Sequence, residues 1–95
     1  MDKVELARKL NSVGKQAFVE HFGLFQKYAS GSISRDGAIN ELVKLGVSNE
    51  SGAGIRVGNA KLIFEAKKEM EALSIVIESR RLSVAVIDAA KKLKR

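Results

Sequence analysis

The chain has 95 residues, 45% of them apolar and only 5% aromatic, with a net charge of +6 and neither cysteine nor proline. Such a chain suits one helical domain, residues 1–95, with an aliphatic core. Disulfides and thiolate chemistry are excluded, and the lack of cysteine favours the cytoplasm.

The predicted fold is all-α, a small compact bundle of about five helices. The first helix runs from Asp2, its cap, to about Ser12, with Val4, Ala7 and Leu10 on one side. Gly14 marks a break. The second runs from Lys15 to Ala29, and Phe18, Phe22, Phe25 and Ala29 recur at four, three and four residues as its core stripe. Ser30-Gly31-Ser32 ends it. The third opens at Ser34, carries Asp36 in its first turn, and turns Ile39, Leu42 and Val43 inward before Gly46 stops it.

A fourth helix begins near Asn49 or Ser51 and reaches about Glu65. Beyond Glu65 it either continues or bends and restarts through Met70, Leu73, Val76 and Ile77. Ile55, Leu62, Ile63 and Ala66 can share a face. The β-branched segment Ser74–Ile77 is read as helix because no partner strand accompanies it. After Arg80-Arg81, Ser83 caps a last helix whose stripe is Leu82, Val86, Ala89 and Leu93.

Catalytic chemistry is not visible. His21 stands alone, and Glu20 projects about a hundred degrees away on a helix, so the expectation is no enzyme. Glu65, Glu69 and Glu71 are interleaved with lysines and read as a solvated face, so no metal and no cofactor are expected. Gly52-x-Gly54-x-x-x-Gly58 is neither a dinucleotide fingerprint nor a P-loop. It reads instead as a smooth helix face for another helix or for a phosphate backbone. The start MDKVELARKL has no apolar stretch typical of a secretion signal. Apolar runs such as Leu73–Ile77 are too short to span a membrane.

Charge is uneven. Residues 1–50 carry seven Lys/Arg against six Asp/Glu, and residues 51–95 carry ten against five. Four of those ten lie in the final KKLKR. A basic half suits an anionic partner such as nucleic acid, although cations also complement the C-terminal end of a helix.

Ala38–Asn59 resembles a helix-turn-helix DNA-binding motif. Leu45-Gly46-Val47-Ser48 matches its turn, with Gly46 as the turn glycine and Ser48 as the cap, and Ile55 falls where the motif buries an apolar residue. The segment departs from the pattern at Leu42, where a small residue is usual, and at Gly52, where a branched apolar one is. The resemblance implies that Asn49, Glu50, Ser51, Ala53 and Arg56 face the major groove. Lys61, Arg80, Arg81, Lys91, Lys92, Lys94 and Arg95 would then sit on phosphates. The leading expectation is therefore a basic, non-catalytic module for duplex DNA. The alternative is a protein-interaction or assembly module, a homodimer included, supported by the glycine face and the Leu82–Leu93 stripe.

Overall fold

The computed structural model describes residues 1–94, and among these it contains seven α-helices and no strand. They are α1 (Lys3–Val13), α2 (Lys15–Glu20), α3 (Phe22–Ala29), α4 (Arg35–Lys44), α5 (Glu50–Glu65), α6 (Glu69–Glu78) and α7 (Val84–Leu93). The all-helical class agrees with the sequence. The number does not, because the helix expected over Lys15–Ala29 is divided and the fourth takes the bend-and-restart course beyond Glu65.

The first division falls at His21, whose φ of −117° and ψ of 25° lie outside the helical region. Its cause is tertiary. Residues on the two sides of the joint serve different neighbours: α2 packs on α1 and α7, whereas α3 packs on α4 and α5. The joint keeps Phe18, Phe22 and Phe25 inside and buries Val19 as well. The second division falls at Ala66–Lys68, where Lys67 adopts a left-handed φ of 59°. Here α5 finishes its packing on α1, α3 and α4, and α6 turns away to pack on α7. Ser74–Ile77 lies within α6 and is helical.

The helix starts follow local chemistry. Asp2, Ser34, Asn49 and Ser83 each accept a hydrogen bond from a backbone N–H in the first turn of α1, α4, α5 and α7. Each bond satisfies one of the donors that a helix start leaves without a partner. The cap of α5 is thus Asn49, with Oδ1 2.8 Å from the Gly52 nitrogen, and not Ser48. The Ser48 hydroxyl is buried and makes no hydrogen bond to protein.

One contiguous core joins all seven helices. Its aromatic part is a cluster in which Phe18 lies edge-on to Phe22, at 5.6 Å between centroids, and Phe64 of α5 stacks on Phe18 at 5.9 Å. Edge-to-face and offset pairs of this kind add to the area they bury. Leu6, Leu10 and Val13 form the buried face of α1, while Val4, expected on that face, is 68% exposed. The expected set is spaced three and three and the buried one four and three, both near the helical period, and the set with two leucines buries more apolar area. Ile39 and Leu42 of α4 are buried as expected, but Val43 points outward. On α5 the buried residues include Ala53, Val57, Ala60 and Ile63, and the expected inward positions Ile55 and Leu62 are 56% and 45% exposed.

Candidate nucleic-acid interface

The joint between α1 and α2 is the origin of the site. Gly14 has a φ of 93°, a left-handed value that favours glycine. A Cβ there would also lie 2.6 Å from Arg56 Nη1, so another residue would push the guanidinium aside as well as strain the backbone. Arg56 reaches across from α5 and donates from Nη1 to the carbonyl oxygen of Val13. That carbonyl belongs to the last turn of α1, where acceptors have no partner within the helix. The guanidinium fills this need and places positive charge at the negative end of the helix.

Beside this joint lies an open cleft of about 730 Å³. One wall is the α1–α2 joint with Lys15, another is the α4–α5 turn (Leu45, Gly46 and Val47), and a third is the α6–α7 loop with Arg81. Arg56 lies between them, and Glu20 and His21 also line the space. Three cations from three separate segments therefore meet at one depression against a single carboxylate. Neither Lys15 nor Arg81 is held by an ion pair among the described residues, where Lys68–Glu71, at 3.0 Å, is the one salt bridge.

The turn on this wall closes α4 through two backbone bonds. Val47 N–H donates to Leu42 O and Gly46 N–H to Val43 O, both at 3.0 Å, with Gly46 left-handed at a φ of 76°. This is the glycine-terminated helix end anticipated at Gly46.

The other expected contact residues are spread more widely. Asn49 and Ser51 are exposed at the start of α5, but the Asn49 side-chain oxygen is engaged as the cap. Ser51 borders a different shallow depression, together with Arg35, Asp36, Glu50 and Ile55. Lys61 is half-buried on the far side of α5, with Nζ 5.0 Å above the Tyr28 ring, in cation–π range. Arg80 is exposed next to Arg81 in the α6–α7 loop. Lys91, Lys92 and Lys94 are exposed around the C-terminal end of α7. Arg95 lies outside the described residues.

The structure thus brings Arg56 and Arg81 together, adds Lys15, which sequence reasoning did not select, and leaves Lys61 on another side. Gly14 was the available signal, since a break before a lysine marks a corner. Nothing in the sequence linked that corner to Arg56. His21, the one histidine, is a half-buried part of the cleft wall. Among the described residues no group of three His, Cys, Asp or Glu is placed to hold a metal ion. No helix there is long and apolar enough to cross a membrane. Comparison with known family models, curated proteins and solved structures finds no match for this chain.

Proposed function

We propose that this protein is a small, non-catalytic, cytoplasmic module that binds duplex DNA by its phosphate backbone. The observation that carries the reading is the convergence of Lys15, Arg56 and Arg81 on one open cleft beside the α4–α5 turn. Phosphates are the ligands that a cation cluster lining an open cleft without carboxylate ion pairs attracts most generally. The α4–α5 connection, with its left-handed Gly46, supports the likeness to a helix-turn-helix, whereas Ile55, which the motif buries, is exposed and Ala53, expected in the groove, is buried.

Two observations favour backbone contact over base reading. Arg56 already commits a donor to Val13, so it serves the cleft as a fixed charge. The exposed first turn of α5 offers Glu50 and a capping Asn49 and no cation of its own. Duplex is favoured over single strands because Phe18, Phe22, Phe25 and Tyr28 are buried and offer no stacking platform.

The test is a titration of duplex DNA at low and physiological salt. Binding should weaken steeply with salt. Lys15→Glu with Arg81→Glu should flatten that dependence by about 0.9 in log–log slope for each phosphate no longer neutralised. Deleting Lys91–Arg95 should weaken binding equally for all sequences. No binding at low salt would sink the proposal. Arg56→Ala is a poorer probe because it also strips the Val13 carbonyl of its partner. The second reading, an interaction module, is favoured by the outer face of α5.

A further inference from the structure

Helix α5 has a second apolar face that the fold does not use. Opposite Ala53, Val57 and Ala60 it presents Ser51, Ile55, Gly58, Asn59 and Leu62, with Glu65 at the edge of the face in the last turn. Ile55 and Leu62 are among the chain's large exposed apolar residues. Asn59 folds back to donate to the Ile55 carbonyl at 2.9 Å, which keeps the surface low. Nothing lies within 4 Å of where a Gly58 Cβ would be, so the middle of the face is an open shallow saddle. A helix apolar on both sides normally lies between two layers, and here one layer is missing.

We infer that a second copy of this chain supplies it, with α5 packed antiparallel on α5 about a two-fold axis at Gly58. Charge selects both the second copy and that direction. Gly54 lies against Arg35, whose Nη2 would be 3.0 Å from a Cβ on that glycine, so the guanidinium sits beside the first half of α5. Glu65 is exposed at the other end. Gly54 and Glu65 are about three turns apart and so share a flank. Neither Arg35 nor Glu65 has an ion-pair partner among the described residues.

Antiparallel pairing about Gly58 sets the Arg35 of each copy beside the Glu65 of the other, twice. Each Glu65 also meets the positive N-terminal end of the other α5. Parallel pairing about an axis along the helices would put the two flanks on opposite sides of the contact and leave both Arg35 and Glu65 without a partner. Ile55 of one copy falls beside Leu62 of the other, and Gly58 at the crossing lets the backbones approach closely. Glu50 lies further round the helix beside Arg35, and Lys61, one turn before Glu65 on the same flank, is drawn back over the Tyr28 ring. Arg56 is on the opposite flank, so the cleft stays open in the dimer, and the inference does not depend on what the cleft binds.

Sedimentation equilibrium of the full chain, with circular dichroism to confirm helicity of each variant, tests this. The intact chain should approach twice its monomer mass as concentration rises, and Leu62→Glu should remain monomeric. Arg35→Glu and Glu65→Arg should each raise the dimer Kd by about threefold or more, the effect expected of two surface pairs reversed together. The double variant should recover the original Kd. Because the chain has no cysteine, Gly58→Cys gives a clean second measurement. Two such residues on the axis come within the ~4.4–6.8 Å Cα separation of a disulfide, and mild oxidation should link them. A monomer at every concentration overturns the inference. So does a dimer indifferent to Leu62→Glu, a double variant no tighter than the singles, or Gly58→Cys that stays unlinked.

Discussion

Helices α5 and α7 solve the same problem in opposite ways. On α7, Val86 and Ala90 face the core while Asp88, Lys91 and Lys92 face out, with Val84 at the helix start the one large apolar residue among them. Its main apolar side is accounted for by what lies beneath it. On α5 the inward side is fully buried at Ala53, Val57, Ala60 and Ile63, and the outward side is apolar too. A one-sided helix tells the observer where the core is. A two-sided one shows that the core of a single chain does not account for all of its apolar surface.

The inner face of α5 is where this contrast is most easily broken. Ile63 is fully buried, and Ile63→Ala should lower the unfolding free energy by about 2–5 kcal/mol in urea titrations, the usual range for such a truncation. A loss well under 1 kcal/mol would mean that the inner face of α5 is not the wall it is described to be. An intermediate effect is expected at the cap. Asn49→Ala removes the bond to Gly52 and should cost about 1 kcal/mol, as should Ser83→Ala at the start of α7. Equal losses would show that the two helices begin alike and differ only in their outer faces. The smallest effect belongs to Leu62→Ala, measured where the chain is dilute. It should change stability by no more than about 0.5 kcal/mol, and a larger loss would place Leu62 in the core after all.

Local chemistry was legible in the sequence, and long-range geometry was not. Asp2, Ser34 and Ser83 were recognisable as caps and Gly46 as a stop because those roles depend on the few residues that follow or precede. The aromatic stripe was readable for the same reason. Val4 and Leu6 could not be separated, since a period near 3.6 accommodates either set beside Leu10. Ile63 and Leu62 were harder still: with large apolar residues on opposite sides of α5, periodicity names no single inward side. The break at His21 has no breaker residue and arises from α2 and α3 having different partners. In the cleft, Gly14 announced a corner and Arg56 a cation, but the hydrogen bond that makes them neighbours spans 43 residues.

That span has a consequence for the order in which the molecule assembles. The corner after α1 is completed only when a side chain from α5 arrives, and α5 is also the helix against which α1 packs. During synthesis α1 is therefore made early and docked late. Its Leu6, Leu10 and Val13 stay uncovered on that side until residues 50–65 have left the ribosome, while α3 and α4 are already able to meet. Closing so long a loop is entropically slow compared with joining adjacent helices. The corner after α1 thus closes only once Arg56 arrives, and the contact between α2 and α7, made later still along the chain, completes the fold.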